Sequence, residues 1–147
     1  MGIEIERKFL VTGDGWRAGA ASPTHFSQGY LSRDPARTVR VRVAGERAFL
    51  TIKGRTVGAG HMTRAEFEYE IPLAEAQQLL QLCEGPLIDR TRHLGEFQGK
   101  TWEVDEFLGD NAGLVVAEIE LAREDEVFER PAWLGAEVTG EARYYNA

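Results

Sequence analysis

Polar and apolar residues alternate along most of this chain, in short segments separated by turn-forming glycine, proline and aspartate residues. In segment 38–43, for example, valines at every second position alternate with Arg40 and Arg42. Because successive side chains of a β-strand point to opposite faces, this spacing predicts strands with one apolar and one polar face. The same pattern occurs in seven segments: 4–8, 38–43, 49–53, 66–71, 90–92, 102–105 and 118–121.

Two segments are predicted to be helical instead. Segment 73–83, LAEAQQLLQLC, is rich in strong helix formers and places Leu79, Leu80 and Cys83 on one apolar face. A second short helix is predicted over 124–128, because its three leading acidic residues favour a helix N-terminus. The pattern therefore predicts an α+β fold that is mainly β.

The polar positions of the predicted strands are nearly all fully charged, which an ordinary solvated face does not require. Seven acidic and seven basic positions stand out along the chain: Glu4, Glu6, Glu66, Glu68, Asp105, Glu118, Glu120, and Lys8, Arg40, Arg42, Lys53, Arg90, Arg92, Arg143. One interpretation is a surface covered with salt bridges, each of which contributes little to stability. The other is a closed antiparallel barrel whose charged faces point inward. Charges inside a barrel must be paired, hydrated or ligated, so such a lumen would be a functional site.

Composition narrows the class of protein. With 147 residues, 43% of them hydrophobic, and no linker-like stretch, we expect one domain spanning 1–147. The net charge of −7 argues against a nucleic-acid surface, so an anionic ligand must be bound locally in a pocket. Cys83 has no second cysteine for an internal disulfide and is expected in the core. No apolar run approaches the roughly 20 residues that span a bilayer, and no signal-like segment opens the chain, so we expect no membrane contact and a cytoplasmic location.

Several common catalytic motifs do not occur. The three histidines, His25, His61 and His93, are scattered singly and form no zinc-binding spacing. The sequence also contains neither a G-x-S-x-G nucleophile turn nor a G-x-x-x-x-G-K-[ST] phosphate loop. Serine hydrolases and P-loop nucleotidases are therefore disfavoured.

The charged motifs follow an order that resembles the CYTH, or triphosphate tunnel metalloenzyme, superfamily. The matching motifs are Glu4-x-Glu6-x-Lys8, Gln28-Gly29-Tyr30, Arg40-x-Arg42, Thr51-Ile52-Lys53, Glu66-x-Glu68, Arg90-x-Arg92, Asp105, Glu118-x-Glu120, and Glu137-Val138-Thr139 with Arg143. The similarity runs from residue 3 to residue 146 and is greatest to short bacterial members. It implies an eight-stranded closed antiparallel tunnel with helices packed outside, a tripolyphosphate chain lying along the lumen, and Mg²⁺ or Mn²⁺ as cofactor.

The resemblance also implies roles for individual residues. The implied metal ligands are Glu4, Glu6, Glu118 and Glu120, with a second acidic patch of Glu66, Glu68 and Asp105. The implied phosphate ligands are Lys8, Arg40, Arg42, Lys53, Arg90, Arg92 and Arg143. Carboxylates suit hard cations and arginine forks match phosphate oxygens, which agrees with this division. Glu70 and Glu103 match no motif position, and we expect them in salt bridges.

Tyr30 and Lys53 are the expected catalytic residues. Tyr30 matches the family position that serves as proton acceptor, but a phenol with a pKa of about 10 needs nearby cations for that role. A hydrogen-bond donor that lines the tunnel is the alternative role for Tyr30.

These features predict metal-dependent hydrolysis of inorganic triphosphate to pyrophosphate and phosphate. The alternatives within the superfamily are an adenylate cyclase and a nucleoside or thiamine triphosphatase. A further alternative is a polyphosphate-binding module without catalysis. The outward apolar faces and Trp133 leave room for a homodimer contact, although we expect Trp133 to anchor the terminal segment on the barrel.

Overall fold

The computed structural model describes residues 2–21 and 23–144 of the chain. Its strands are β1 (Gly2–Val11), β2 (Thr24–Ser32), β3 (Arg37–Ala44), β4 (Arg47–Gly54), β5 (Thr63–Ile71), β6 (Glu84–Phe97), β7 (Lys100–Phe107), β8 (Val115–Glu120) and β9 (Leu134–Glu137). The described helical elements are α1 (Leu73–Leu80) and three 3₁₀ turns at Gly15–Gly19, Gly109–Asn111 and Ala142–Tyr144. Within these described residues, no helix has the length and apolar character needed to cross a membrane.

Eight of the strands form a closed antiparallel barrel, as the sequence predicts. The order around the barrel is β5-β4-β3-β2-β6-β7-β8-β1, and β1 pairs again with β5. This closing contact joins residues 2–5 of β1 to residues 63–66 of β5. The later part of β1 pairs with β9 on the edge that β5 leaves open, since β8 occupies the other edge. The short strand β9 was not predicted.

The apolar side of the barrel faces outward and forms the core there. One buried cluster consists of Phe9, Trp16, Trp102, Val104, Ala117, Ile119 and Leu121. A second cluster joins Val41 and Ala48 of the barrel wall to Ala76 of α1. The chain thus buries its apolar residues between the barrel and its outer segments, which leaves the lumen to the charged side chains.

Helix α1 covers one side of the barrel and is shorter than predicted. It ends at Leu80, although Leu79, Leu80 and Cys83 all pack against the apolar cluster as the spacing indicates. Strand β2 passes very close beneath the turn after α1. A Cβ on Gly29 would lie 2.7 Å from Leu87 Cδ2 and 2.8 Å from Cys83 Sγ. Only glycine fits there, and this close contact fixes the height of β2 in the barrel wall.

The prediction of a second helix over 124–128 is wrong. This segment forms a turn followed by extended chain. The carboxylate of Glu126 turns back to accept a hydrogen bond from the Ala122 amide at 2.7 Å and forms an ion pair with Lys100. Phe128 packs edge-on against the core aromatic rings. A five-residue helix gains too few hydrogen bonds to outweigh such contacts.

Trp133 contacts Trp102 edge-to-face, with ring centroids 5.8 Å apart. Its backbone carbonyl also accepts a hydrogen bond from the Thr12 amide at 2.8 Å. The residue therefore anchors the segment before β9 on the barrel, as predicted. The homodimer contact stays a prediction.

Candidate active site in the barrel lumen

The barrel lumen contains a cavity of about 390 Å³, within the size range of small-molecule sites. Nine arginine and lysine side chains and seven glutamates line it. The lining is therefore net positive, although the whole chain carries a net charge of −7. Such a local excess of cations is what a pocket for an anion requires in an acidic protein.

Most of the residues singled out from the sequence meet in this cavity. Thirteen of the fifteen line it: Glu4, Glu6, Glu66, Glu68, Glu118, Glu120, Lys8, Arg40, Arg42, Lys53, Arg90, Arg92 and Tyr30. Asp105 and Arg143 do not line it. The interpretation with inward-facing charges thus describes the lumen, and a salt-bridged outer surface does not.

One group of carboxylates lies where β1, β7 and β8 are neighbours. Glu118 is opposite both Lys8 and Glu103 in the strand register. One carboxylate oxygen from each of Glu6, Glu103 and Glu118 lies within 4.8 Å of the other two. Three carboxylates at this spacing are a donor set for a hard divalent cation.

The protonation states in this group differ. Burial raises the pKa of Glu6 well above its usual range, and the neighbouring Glu118 and Glu4 raise it further. Burial also opposes ionisation of Glu118, but Lys8 and nearby arginines outweigh it and lower the pKa of that carboxyl. Glu6 therefore holds a proton more tightly than Glu118 does.

Lys53 lies between two further carboxylates. Its Nζ is 3.0 Å from Glu4 Oε1 and 3.5 Å from Glu66 Oε2. Although burial opposes ionisation of Glu4, Lys53 lowers the pKa of this residue. Burial, with the charge on Glu4 next, raises the pKa of Glu66 to about 7.

The other acidic residues of the lumen have individual surroundings. Glu68 accepts a hydrogen bond from Thr51 at 2.8 Å and lies 3.6 Å from Arg40 Nη2. Glu120 is exposed at the cavity wall, opposite Glu6 in the β1–β8 register. Both remain accessible to a ligand from the cavity.

Three arginines meet over the ring of Phe26, and one of them, Arg92, also lies 3.1 Å from Glu103 of the carboxylate group. The guanidinium carbons of Arg42, Arg90 and Arg92 lie 4.6, 5.8 and 4.8 Å from its centroid. Burial and the neighbouring arginines lower the pKa of Arg42 well below its usual range. An anion bound beside these groups would relieve their mutual repulsion.

Asp105 is the counter-ion of two of these arginines. Its oxygens lie 3.0 Å from Arg90 Nη1 and 2.8 and 2.9 Å from Arg92, and its side chain is 0% exposed. This placement differs from the predicted metal ligand, because both oxygens are already engaged outside the cavity lining. Asp105 instead holds the arginines in position.

Tyr30 and Gln28 connect the arginines with the middle of the lumen. Gln28 Oε1 accepts hydrogen bonds from Arg42 and Arg90 at 2.8–3.0 Å. Gln28 Nε2 donates to Tyr30 Oη at 3.3 Å. Both residues lie on β2, separated by Gly29.

Arg143 lies away from the cavity lining, in contrast to its predicted role as a phosphate ligand. Its side chain is 75% exposed, and its Nε lies 3.9 Å from Glu141 Oε1. The 3₁₀ turn that carries it is attached to the barrel through the carbonyl of Tyr144, which accepts a hydrogen bond from Lys8 Nζ at 2.9 Å. This backbone contact leaves the Arg143 side chain pointing outward.

The lumen also contains charged residues that the motifs did not identify: Glu103, Arg33, Arg55, Arg64 and His61. Glu103 alternates in step with Asp105, so strand spacing alone placed it on the inner face. Arg64 shares the spacing of Glu66 and Glu68 in the same way. Arg33 lies just beyond the end of β2, where strand alternation no longer predicts direction. Glu103 and Glu70 both form the expected salt bridges, Glu103 with Arg92 at 3.1 Å and Glu70 with Arg47 at 2.8 Å.

Comparison with known proteins agrees with this geometry. The family description "CYTH domain" matches residues 2–145. An inorganic triphosphatase of Acetivibrio thermocellus is 50% identical over 100% of this chain and 92% of its own length. One of Nitrosomonas europaea is 34% identical over 97% of this chain and 93% of its own length. A solved structure of an inorganic triphosphatase superposes with a TM-score of 0.67, at 33% identity, over 97% of this chain and 91% of that chain. The chain therefore belongs to the CYTH domain family.

Proposed function

We propose that this chain is an inorganic triphosphatase that hydrolyses tripolyphosphate to pyrophosphate and phosphate in the barrel lumen, with a divalent metal ion. The observation that carries the proposal is the division of one cavity into an arginine-rich side and a carboxylate-rich side. The relatives named inorganic triphosphatase, at 50% and 34% identity over nearly the whole chain, support the choice of reaction.

The arginine-rich side suits a chain of phosphate groups. Among the described residues, the buried Nε atoms of Arg40 and Arg90 have no hydrogen-bond partner. Buried donors of this kind are costly unless a ligand satisfies them. Phosphate oxygens are suitable acceptors, and arginine forks bind them in pairs. Lys8 and Lys53 add point charges near the carboxylate side.

The carboxylate side fits Mg²⁺ or Mn²⁺. Glu6, Glu103 and Glu118 would hold the ion, because their oxygens converge and a cation would offset the repulsion that raises the pKa of Glu6. Glu4, Glu66 and Glu120 line the same cavity and can contribute further oxygens. When bound, such an ion neutralises charge on phosphate oxygens and orients a water for in-line attack.

The other residues supply positioning and charge. The arginines bind the phosphate groups and offset the charge that develops on them, which is the main demand of phosphoryl transfer. Lys53 donates hydrogen bonds to both oxygens of Glu4 and can donate to a phosphate oxygen. Tyr30 offers its hydroxyl to the lumen at the edge of the arginine group.

The decisive experiment measures phosphate release by the purified protein with Mg²⁺ or Mn²⁺. Substrates are tripolyphosphate, ATP and thiamine triphosphate, and a chelator removes the metal in parallel reactions. We expect release from tripolyphosphate above all, in a metal-dependent reaction. The Glu118→Gln variant should lose this activity, whereas Glu70→Gln, outside the cavity lining, should keep it. Tight tripolyphosphate binding without release would favour a binding module, and cyclic AMP formed from ATP would favour a cyclase.

A further inference from the structure

Gln28 occupies a junction between two arginines and the candidate catalytic tyrosine. It is 0% exposed and lies behind the cavity lining, in contact with arginines that line it. Its Oε1 lies 3.0 Å from Arg42 Nε, 2.8 Å from Arg42 Nη2 and 3.0 Å from Arg90 Nη2. Its Nε2 lies 3.3 Å from Tyr30 Oη.

The chemistry of the neighbours fixes which way the amide of Gln28 points. A guanidinium carries only donors, so the Gln28 atom that faces Arg42 and Arg90 must be the carbonyl oxygen. The amino group then faces Tyr30, and it also carries only donors. The oxygen of Tyr30 therefore accepts this hydrogen bond, and its own proton points away from Gln28.

Backbone packing prevents β2 from relaxing out of this arrangement. Gly29, between the two residues, approaches Leu87 and Cys83 too closely for any Cβ. The Tyr30 ring is 4% exposed and lies 5.2 Å from the guanidinium carbon of Arg33. Tyr30 lines the cavity, so the proton that turns away from Gln28 can be directed into the lumen.

We propose that Gln28 is a positioning residue that makes Tyr30 a hydrogen-bond donor to the phosphate chain. By accepting from Arg42 and Arg90, its carbonyl oxygen also sets the amide orientation on which the Tyr30 hydroxyl depends. The inference rests on the proposed triphosphatase function and deepens it. It assigns Tyr30 the donor role rather than that of proton acceptor.

The Gln28→Glu substitution tests this proposal, because it removes the donor that faces Tyr30 and keeps nearly the same shape. A carboxylate still accepts from both arginines, so the fold should persist. It cannot donate to Tyr30, however, so the tyrosine must turn its proton toward residue 28 and away from the lumen. We expect kcat to fall by about 10-fold to 100-fold, the effect of losing a hydrogen bond to a charged group.

The proposal is judged by a double-mutant cycle with Tyr30→Phe. In the wild type, Tyr30→Phe should lower kcat by the same 10-fold to 100-fold factor. In the Gln28→Glu background, it should change kcat by less than about twofold, because the hydroxyl no longer faces the substrate. An equal loss in both backgrounds would overturn the proposal. Gln77→Glu, on the outer surface of α1, controls for the added negative charge and should leave kcat and KM unchanged.

Thermal melting establishes whether Gln28→Glu folds. If it does not, the same cycle is run with Gln28→Met, which also cannot donate to Tyr30, and Tyr30→Phe must again cost less there than in the wild type. A wild-type protein without tripolyphosphate hydrolysis would overturn the proposed function instead. The cycle is then read on tripolyphosphate affinity by calorimetry, where Tyr30→Phe must weaken binding more in the wild type than in Gln28→Glu.

Discussion

Carboxylates that share one lumen differ in how readily they hold a proton. Glu118 has a lowered pKa because Lys8 and the arginines outweigh the effect of burial. For Glu66, by contrast, burial and the charge on Glu4 raise the pKa to about 7. At neutral pH, a fraction of Glu66 is therefore protonated, so the metal-free lumen carries less negative charge than the number of its acidic residues indicates.

This difference predicts a pH dependence of stability in the metal-free protein. The pKa of Glu66 is higher in the folded state, about 7, than the ordinary value of 4.5 expected in the unfolded chain. Its contribution to stability is thus present below pH 4.5 and is lost as the pH rises through 7. Glu66→Gln should remove this loss of free energy of unfolding, which is on the order of 1–3 kcal/mol between pH 5 and pH 8.

Chemical unfolding in chelator at both pH values measures this effect as the difference between wild type and variant. The comparison cancels the contribution of Glu118, whose lowered pKa acts in the opposite direction, whereas Glu4 is coupled to Glu66 and its contribution is part of the measured difference. Glu75→Gln, on the exposed side of α1, is the matched control. A Glu66→Gln protein with the same pH slope as the wild type would contradict the prediction.

Arg42 shows how binding and stability oppose each other at one residue. It is buried beside Arg40, Arg90 and Arg92, and these neighbours add to the effect of burial in lowering its pKa. Arg42→Met should therefore leave the free energy of unfolding of the ligand-free protein unchanged or raise it by about 1 kcal/mol, since Gln28 keeps Arg90 as a donor. The same variant should raise KM for tripolyphosphate or lower kcat by at least about tenfold.

Denaturant unfolding and phosphate release together test this prediction. Arg47→Met removes an exposed arginine that pairs with Glu70 outside the cavity lining, so it should alter neither quantity by much. A strongly destabilised Arg42→Met protein would mean that the arginine serves the fold and not the ligand.

Among the elements, the segment before β9 contributes stability without touching the lumen. Trp133 packs against Trp102, which is 0% exposed in the outer core. Trp133→Ala should lower the free energy of unfolding by about 3 kcal/mol through the cavity it leaves, with kcat and KM nearly unchanged. Val127, on the same segment and 91% exposed, provides the control substitution Val127→Ala. Unfolding curves and kinetics are compared, and a large loss of activity in folded Trp133→Ala would contradict this separation.

Sequence alternation identified seven of the eight barrel strands, all except β2, because it reports a local property, the face to which each side chain points. It placed Glu103 and Asp105 on the same inner face but gave no information on where along the barrel each side chain lies. That position depends on the stagger between strands, which long-range pairing sets. For the same reason neither β9 nor the outward position of Arg143 followed from the sequence. The helix predicted over 124–128 failed because contacts with the barrel decided the conformation of that short segment.

The whole molecule separates apolar from charged residues in an unusual way. The apolar core lies outside the barrel, and the charged side chains lie within it. A lumen of this kind opposes folding when empty, because like charges face each other on both sides of the cavity. Ligands that neutralise the two sides should therefore stabilise the fold. A ligand present at 100 times its Kd contributes about 2.7 kcal/mol, or about 5–10 °C in Tm for a chain of this size.

Thermal melts with each ligand can show whether metal and phosphate bind at separate sides of the lumen. We expect Mg²⁺ alone and tripolyphosphate alone each to raise Tm in the wild type. Glu118→Gln should lose the rise with Mg²⁺ and keep that with tripolyphosphate, because only the carboxylate side is altered. Arg42→Met should show the reverse, and Glu75→Gln should respond as the wild type does. If both variants lost both responses equally, metal and phosphate would not occupy separate sides of the cavity, and the division of the lumen on which the proposed function rests would be wrong.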